Sequence, residues 1–572
     1  MEKKWIVKPQ LSQECILSLS KKWNLSPIMT QLLYNRGIEE NEIDGFLRPL
    51  LKDLYNPFLM KGMEKATQRI LKAFSRKEKI LIFGDYDVDG ITSTSLLLLF
   101  LRDLGIPAYF YIPQREEEGY GLNKIAVEKI AKKGINLIIT CDCGTSSLEE
   151  IEYAKSCGMD VIVTDHHRVK ESIPSHLTVI NPDQPGCAYP FKKLAGVGVA
   201  FKLVQALTQK LSSKEIDLQK YLDLVAIGTI ADLSPLKDEN RILVKWGLKR
   251  LNETSNLGLR ALISVSGLSV KEIDEGRVAF IIAPRLNACG RLSLAKKGVR
   301  LLLSTSSSEA FKFAKDLDRE NAQRRRIEEK MCTEAEKLLP EEKNPVIILS
   351  KEGWHPGIIG LVASYIKEKY FRPTIIFSRD GKMARGSARS IPEFSIFEAL
   401  EKCKDLLLDF GGHKMAAGLS ILSKNIETLR ERLNELAKEV LFPEDLVPSY
   451  FIDAKIDLDK LTENFFEELE LLPPYGPENP PPLFLSENLH LLSPPKMINK
   501  GCLRMFLGSK AGERRFEAIG FGLGKRGREI ANLKQLSAIF TPRINQWKGE
   551  KTYQLEIKDW RGGKDGGFGQ ED

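Results

Sequence analysis

The sequence predicts an α/β protein that ends in a small β-barrel. Three patterns carry this prediction. Short apolar runs alternate with amphipathic segments from about residue 63 to residue 164, the spacing of crossover units in a parallel, doubly wound sheet. Apolar runs at 345–349 and 373–377 predict strands of a second α/β domain. Several short alternating segments with turn signals after residue 450 are typical of a small barrel.

The composition is that of a globular protein with several domains. A chain of 572 residues is expected to hold about three or four domains. No apolar stretch approaches the roughly 20 residues that span a membrane, and the first residues lack the apolar core of a signal peptide. Nine cysteines without the spacing of a disulfide framework indicate a reducing compartment. The sequence therefore predicts a cytoplasmic protein.

The positive charge is concentrated near the C-terminal end. The net charge is +8, yet residues 500–564 alone hold fifteen Lys and Arg against six Asp and Glu. Such a concentration predicts a phosphate-rich polymer as partner. An ordinary solvated surface is the alternative.

A loop with three carboxylates follows the first predicted strand. Asp85, Asp87 and Asp89 stand at alternate positions after the apolar run 79–84, and Gly90 closes the loop. Like charges this close cannot all ionise unless a cation neutralises them. The loop therefore indicates a metal site, although a solvated acidic turn is the alternative for this motif alone.

Three further apolar runs end in similar groups. The predicted strand 136–140 leads to Asp142, and the strand 160–164 leads to Asp165, His166 and His167. A fourth strand is predicted at 224–230, before Asp232. Each group alone could be a helix or turn cap. Because ligands bind beyond the carboxyl ends of parallel strands, however, these side chains are expected to meet and to hold two divalent cations.

Eight motifs carry a resemblance to a known family. Asp-Tyr-Asp-Val-Asp-Gly at 85–90, Cys-Asp-Cys-Gly at 141–144, Asp-His-His at 165–167 and Ile-Ala-Asp-Leu at 230–233 resemble the four motifs of the DHH phosphoesterase superfamily. Within it, the motifs at 283–291, 353–360, 386–390 and 411–418 resemble those of the bacterial single-strand-specific 5′→3′ DNA exonucleases. The similarity covers about residues 60 to 560. The chain departs from the pattern at Cys289, where Ala is commoner, and at Tyr365, where Arg often follows Ala-Ser.

The resemblance implies the roles of individual residues. Two Mn²⁺ or Mg²⁺ ions are expected on Asp87, Asp89, Asp142, His166, His167 and Asp232. The expected catalytic residues are Asp142, His166, His167 and Asp232, with Asp142 bridging the metals and Asp85 in a supporting role. Substrate contacts are expected at Arg285, Asn287, Arg291, Ser387, Arg389 and His413. The segments 386–389 and 411–413 are predicted as glycine-rich loops whose amides approach a phosphate, with a loop that binds no ligand as the alternative.

The resemblance also implies the architecture. Two doubly wound α/β domains, DHH and DHHA1, are expected to be joined by a long helix predicted at 308–339 and followed by an oligonucleotide-binding (OB-like) barrel. The expected parts are an N-terminal segment 1–60, the DHH catalytic domain 61–210, a helical extension with the connecting helix 211–338, the DHHA1 substrate-binding domain 339–445, the OB-like domain 446–560 and a flexible tail 561–572. In the barrel, Trp547 and Tyr553 are candidate platforms for bases, or else core residues.

The function implied by the resemblance is a single-stranded-DNA-specific 5′→3′ exonuclease of DNA repair and recombination. It would release 5′-mononucleotides by two-metal hydrolysis. Two alternatives are an inactive DHH scaffold that binds single strands and a phosphoesterase for small substrates. The complete acidic set argues against the first and the basic barrel against the second. The expected partner is the 5′ end of single-stranded DNA, with single-strand-binding protein and a helicase as further candidates. The protein is expected to be a monomer without membrane contact.

Overall fold

The computed structural model describes residues 3–114, 118–119, 121–169, 172–211, 216–292, 294–341, 344–498, 501–509, 514–531, 533, 535–547 and 550–562. In chain order the strands are β1 (Lys4–Val7), β2 (Ile80–Gly84), β3 (Ala108–Tyr111), β4 (Leu137–Cys141), β5 (Asp160–Thr164), β6 (Thr178–Ile180), β7 (Ile347–Glu352), β8 (Thr374–Asp380), β9 (Met383–Arg389), β10 (Leu407–His413), β11 (Ala416–Leu422), β12 (Ser449–Ile452), β13 (Ala454–Lys455), β14 (Phe484–Leu491), β15 (Lys496–Ile498), β16 (Cys502–Gly508), β17 (Arg515–Gly520), β18 (Gln535–Trp547) and β19 (Glu550–Gly562).

The α-helices of the described residues are also numbered in chain order. They are α1 (Gln13–Trp23), α2 (Pro27–Asn35), α3 (Ile43–Leu47), α4 (Met63–Arg76), α5 (Val88–Asp103), α6 (Lys124–Ala131), α7 (Leu148–Ser156), α8 (Gly196–Lys210), α9 (Leu222–Ala231), α10 (Asp238–Leu251), α11 (Leu257–Val265), α12 (Glu275–Arg277), α13 (Ala283–Leu292), α14 (Lys296–Leu303), α15 (Ser307–Lys337), α16 (Ile359–Tyr370), α17 (Ile396–Glu401), α18 (Ile426–Val440), α19 (Glu463–Leu469) and α20 (Gly527–Ala531). A π-helical turn, Val278–Ile282, precedes α13.

The chain divides into two compact units. The first contains residues 55–234 and 246–448 together with the first three residues. The second contains residues 4–54 and 235–245 and the described part of 449–562. No described helix is both long and apolar enough to cross a membrane.

The first sheet of the first unit is parallel throughout. Its order is β3-β2-β4-β5-β6, and every neighbouring pair is parallel. All five residues of β2 and of β4 are buried, as expected for strands covered by helices on both faces. The doubly wound sheet predicted from the alternating pattern is therefore confirmed, and its carboxyl ends lie along one edge.

The prediction of a fourth strand at 224–230 is wrong. These residues belong to α9, whose residues Leu222–Ile230 are all buried and which packs against α5 and α8. A short run that is apolar at every position has no periodicity, so a buried helix and a buried strand give the same pattern. Asp232 therefore follows a helix instead of a strand.

A helical region connects the first sheet to the second. The long helix predicted at 308–339 is confirmed as α15, and the Ser306 hydroxyl caps it by accepting a hydrogen bond from the Glu309 amide. The helix packs against α11, α13 and α14 on one side of the region and against α16 of the second α/β domain. It thus joins the two α/β domains of the first unit.

The second α/β domain is confirmed, and its sheet is mixed. The order is β10-β11-β9-β8-β7, in which only β7 and β8 run parallel. The predicted loops at 386–389 and 411–413 are wrong, because these residues lie in β9 and β10. Gly386 serves strand packing, since a Cβ there would lie 2.5 Å from the Phe377 ring.

The second unit contains the predicted barrel. Its sheet has the order β13-β14-β18-β19-β17-β16-β15, and a further pairing of β14 with β16 closes the ring. Tyr553 stacks on the core residue Phe466 with ring centroids 4.1 Å apart, so it packs as a core residue. The Trp547 side chain and residues 563–572 of the predicted tail lie outside the described residues.

The N-terminal residues are part of this unit. Strand β1 pairs in parallel with β12, and α2 packs against α19 and β13. The buried Arg241 guanidinium donates hydrogen bonds to the backbone carbonyls of Phe46, Leu471, Pro473 and Pro474. Three separate stretches of the chain therefore share one core.

Candidate metal centre and phosphate pocket

The acidic and histidine motifs converge at the carboxyl edge of the first sheet. Asp85, Asp87 and Asp89 follow β2, while Asp142 follows β4. His166 and His167 follow β5, and Asp232 is the C-terminal cap of α9. Their ligand atoms form three sets, each within 4.8 Å: Asp85, Asp87 and Asp142; Asp89, His166 and Asp232; Asp142, His166 and His167. The structure thus brings together all six predicted metal residues, and Asp85 with them.

Asp142 lies where two of the three sets meet. Its Oδ1 is 3.0 Å from His166 Nε2 and 3.9 Å from His167 Nδ1. Asp89 Oδ2 lies 3.8 Å from the same His166 nitrogen. Asp142 has a backbone φ of 61°, in the left-handed region, so the chain turns sharply after β4 and directs this carboxylate into the cluster.

Backbone amides at the start of α8 hold Asp89 in place. The Gly196 amide donates to Asp89 Oδ2 and the Val197 amide to Oδ1, both at 2.7 Å. A Cβ on Gly196 would lie 2.8 Å from Asp142, and a Cβ on Gly228 would lie 3.0 Å from Asp89 Oδ1. Two glycines therefore allow the helices to approach the carboxylates closely.

Asp165 positions the two histidines. Its carboxylate accepts hydrogen bonds from the backbone amides of Thr145, His166 and His167 and lies 2.8 Å from His167 Nδ1. Burial alone would lower the pKa of His167, but the hydrogen bond and charge of Asp165 outweigh burial and raise it to about 9. The sequence predicts Asp165 at this edge of the sheet, but the resemblance assigns it no role as a metal ligand or catalytic residue, and the structure shows its role in holding the histidines.

The carboxylates repel one another in a buried place. Asp85, Asp89 and Asp142 are at most 3% exposed. Burial, together with the charges of Asp232 and Asp87, raises the pKa of Asp89 well above its usual range. Burial and the charges of Asp89, Asp87 and Asp85 do the same for the pKa of Asp142. A divalent cation would remove this repulsion, and carboxylate oxygens with imidazole nitrogens are ligands suited to Mn²⁺ and Mg²⁺. The residues present therefore fit two such ions.

A cavity of about 260 Å³ lies on the second α/β domain. Three predicted substrate residues, Arg291, Ser387 and Arg389, line it, together with Arg385, which was not predicted. The backbone supplies the other side, because a Cβ on Gly360, near the start of α16, would lie 3.0 Å from Ser387 Oγ and 3.1 Å from Arg389 Nη2. Arginine forks and a helix N-terminus together favour a phosphate.

The other three predicted substrate residues do not line this cavity. Arg285 donates from Nε to Asp318 at 2.9 Å and from Nη1 to the Ile281 carbonyl at 2.7 Å. Asn287 is half-buried on α13, and His413 is exposed at the end of β10. His413 stands opposite Ala416, which in turn stands opposite Arg389. His413 and Arg389 therefore lie in the same cross-strand row of the sheet.

Helix α13 links the metal cluster to the phosphate pocket. A Cβ on Gly290 would lie 2.3 Å from the carbonyl oxygen of Tyr86, which stands between Asp85 and Asp87. The next residue, Arg291, lines the pocket and donates from Nη1 to the Gly357 carbonyl at 3.0 Å. Consecutive residues of one helix thus contact the loop that carries Asp85 and Asp87 and the phosphate pocket.

Three family models match the chain. The model of the DHH family N-terminal domain matches residues 79–229, the DHHA1 domain model residues 343–439 and the RecJ OB domain model residues 452–559. The first two contain the metal cluster except Asp232, which lies three residues beyond the first match, and most of the pocket. The third contains most of the barrel.

Similar proteins and structures agree with these models. The chain is 41% identical over 553 residues to the single-stranded-DNA-specific exonuclease RecJ of Bacillus subtilis, covering 96% of this chain and 69% of that protein. It is 36% identical over 552 residues to RecJ of Haemophilus influenzae, covering 93% and 95%. The crystal structure of RecJ in complex with Mn²⁺ from Thermus thermophilus superimposes with a TM-score of 0.83 at 31% identity, covering 98% of this chain and 80% of that one. A Mg²⁺ complex from the same organism gives a TM-score of 0.78 at 30% identity, covering 98% and 79%. With this identity over nearly its whole length, the chain belongs to the RecJ family.

Proposed function

We propose that this chain is a single-stranded-DNA-specific exonuclease that starts at a 5′ end and releases 5′-mononucleotides. The observation that carries the proposal is that Gly290 packs on the loop between Asp85 and Asp87 while the next residue, Arg291, lines the cation-lined pocket. A reaction centre and a phosphate site joined in this way can hold a strand end and cut near it. The relatives from Bacillus subtilis and Haemophilus influenzae are named single-stranded-DNA-specific exonucleases, and this supports single-stranded DNA as the substrate of this chain.

The metal ligands of the proposal are the residues of the cluster: Asp87, Asp89, Asp142, His166, His167 and Asp232. When bound, Mn²⁺ or Mg²⁺ ions supply Lewis-acid activation of water and neutralise the charge that develops on the phosphodiester. Asp142 and His166 each belong to two of the three sets, so both would contribute to more than one part of the site. Asp85 shares a set with Asp87 and Asp142 and supports them.

The other residues of the cluster keep these side chains in place. The amides of Gly196 and Val197 fix both oxygens of Asp89, so this carboxylate cannot rotate away. Asp165 fixes the ring of His167 through Nδ1. Such preorganisation lowers the cost of assembling the site around the substrate.

The 5′ end is recognised in the phosphate pocket. Arg389 is held by hydrogen bonds from Nη1 to Ser387 Oγ at 3.1 Å and to the Ala388 carbonyl at 2.8 Å, which orient its guanidinium. A planar guanidinium can bind two oxygens of a terminal phosphate at once. A 5′-phosphate bound there would place the terminal nucleotide in register with the metals and so set the direction of digestion.

The barrel is proposed to hold the strand away from the cut. The basic excess of residues 500–564 suits a sequence-independent phosphate contact. We also propose that the protein acts as a cytoplasmic monomer in DNA repair and recombination, where single-strand-binding protein and a helicase would supply its substrate.

One assay tests the function directly. End-labelled single-stranded DNA and RNA would be incubated with Mn²⁺, with Mg²⁺ or with EDTA. The proposal expects metal-dependent release of mononucleotides from the 5′ end of the DNA and none in EDTA. Release from the 3′ end would refute the proposal. Binding of the strand without cleavage in Mn²⁺ and also in Mg²⁺ would refute it as well.

A further inference from the structure

A second cavity of the first unit lies outside the site described so far. Its volume is about 320 Å³, within the usual range for small-molecule sites, and it lies at the carboxyl end of the edge strand β3. Residues 110–114 form one part of its lining, and residues from the end of α13 and from α14 form another. None of the residues of the metal cluster or of the phosphate pocket lines it.

One wall of this cavity is aromatic. Tyr86, Phe110 and Tyr111 contribute to it. The Tyr111 ring stacks on Phe83 with centroids 5.6 Å apart and planes at 11°, and its hydroxyl donates to Glu118 at 2.6 Å. These contacts fix the Tyr111 ring, and the side chains of all three residues are partly exposed. Fixed, accessible aromatic faces are what nucleic-acid bases stack on.

The charge of the lining is positive. Lys296 and Arg300 stand four residues apart on the same face of α14, and both are exposed. Among the residues that the structure describes, no carboxylate oxygen lies within 4.0 Å of either, whereas the neighbouring Lys297 is paired with Glu320. Among the lining residues that the structure describes, Glu118 is the single acidic one, and its carboxylate is paired with Lys129 at 2.6 Å. An anion is therefore favoured here.

The cavity shares residues with the loop and the helix that lie next to the metal cluster. Tyr86 lies between two carboxylates of the cluster, and Gly290 packs directly on its carbonyl. Both residues line the cavity, and Arg291, the next residue, lines the phosphate pocket. A ligand in this cavity would therefore contact the same loop and the same helix that position the metals and the 5′ end.

We propose that this cavity binds a nucleotide, with the base on the aromatic wall and the phosphate at Lys296 and Arg300. Two sources share this chemistry. One is the part of the substrate strand on the 3′ side of the cut, and this source rests on the proposed function. The other is the mononucleotide released by the reaction. A ligand with a phosphate alone would leave the aromatic wall unused.

The test measures binding without cleavage. In EDTA, fluorescently labelled thymidine monophosphate and a length series of oligothymidylates would be titrated onto the full chain and onto the variant Lys296→Ala/Arg300→Ala. The variant is expected to weaken binding about tenfold or more, because two charge-assisted contacts are lost. For oligothymidylates, the slope of log affinity against log salt should fall by about 0.7 for each phosphate contact removed. The matched control is Lys312→Ala/Lys315→Ala, which removes two exposed charges of α15 outside the cavity.

The outcomes separate the sources. If the variant binds both the mononucleotide and the strands more weakly, the released nucleotide is a ligand of the cavity. If it binds only the strands more weakly, the ligand is the substrate strand. No loss, or an equal loss in the control, overturns the proposal. A second measurement uses the unaltered chain: oligonucleotides and mononucleotides that carry 5-iodouracil should cross-link to Tyr86, Phe110 or Tyr111, and cross-links confined to other residues also overturn it. Neither measurement depends on cleavage, so a failure here leaves the nuclease assay to judge the proposed function by itself.

Discussion

Replacing Arg389 with alanine tests how the direction of digestion is set. The Arg389 guanidinium lines the 260 Å³ cavity and is oriented by Ser387. If it binds the terminal phosphate, its loss removes a charge-assisted hydrogen bond worth about 1.5–3 kcal/mol. That free energy corresponds to a fall of about 10- to 150-fold in kcat/KM on 5′-phosphorylated strands, with a much smaller fall on 5′-hydroxyl strands. Arg389→Lys, which keeps the charge but loses the fork, should fall in between.

The assay compares the two kinds of strand end under identical conditions. Initial rates of nucleotide release would be measured for each enzyme on a 5′-phosphorylated and a 5′-hydroxyl oligonucleotide of the same sequence. Arg379→Ala is the matched control, since Arg379 is an exposed arginine of the same sheet outside the cavity. Equal losses on both strand ends in Arg389→Ala would show that this residue holds the backbone or the fold, and that the direction is set elsewhere.

Three further predictions follow from the cluster, the barrel and a buried carboxylate. Asp142→Ala should lower the rate by at least about 10³-fold while the melting temperature is kept, and activity within tenfold of the unaltered chain would contradict its assignment to the metal site. Arg515, Lys525 and Arg528 are exposed cations of the barrel domain. Changing all three to alanine should weaken the binding of long strands and lower the slope of log affinity against log salt, while cleavage of short oligonucleotides continues. An unchanged slope would place the binding surface elsewhere. Burial raises the pKa of Asp223 to about 6, so the folded state binds more protons than the unfolded state between about pH 4 and pH 6, and stability is lost as the pH rises through this range. Between pH 4 and pH 7, the free energy of unfolding of Asp223→Asn should therefore rise by about 2–3 kcal/mol relative to that of the unaltered chain. An equal difference between the two proteins in thermal unfolding at both pH values would contradict this reasoning.

The sequence identified the metal cluster because its strands are easy to recognise. The runs before Asp85 and Asp142 are apolar at nearly every position, as strands buried on both faces must be, and they end in polar groups. Parallel topology then places all such ends at one edge. Asp232 was placed correctly in the cluster although its element was predicted wrongly, since the end of a buried helix can deliver a carboxylate as well as a strand can.

The parts that the sequence did not reveal depend on contacts between distant residues. The backbone amides of Gly196 and Val197, on another helix, donate hydrogen bonds to Asp89. No local sequence pattern predicts these hydrogen bonds. Arg385 was missed because 386–389 were predicted as a loop. In a strand, Arg385 and Arg389 point to the same face as Ser387, and this alternation would have found it. Glycines in these segments suggested turns, whereas at Gly386 the Phe377 ring leaves no room for a side chain.

The discontinuous second unit has a consequence for synthesis of the protein. Strand β1, which contains Trp5, pairs with β12, beginning with Lys4 opposite Ser449. At about 5–20 residues per second, the ribosome needs roughly 20–90 s to reach that partner. During this time the apolar side chains of α2, which include Leu32 and Leu33, have no barrel core to enter. Removing the barrel would therefore also leave the first 54 residues without their core, so a shortened chain would need to lose both ends together.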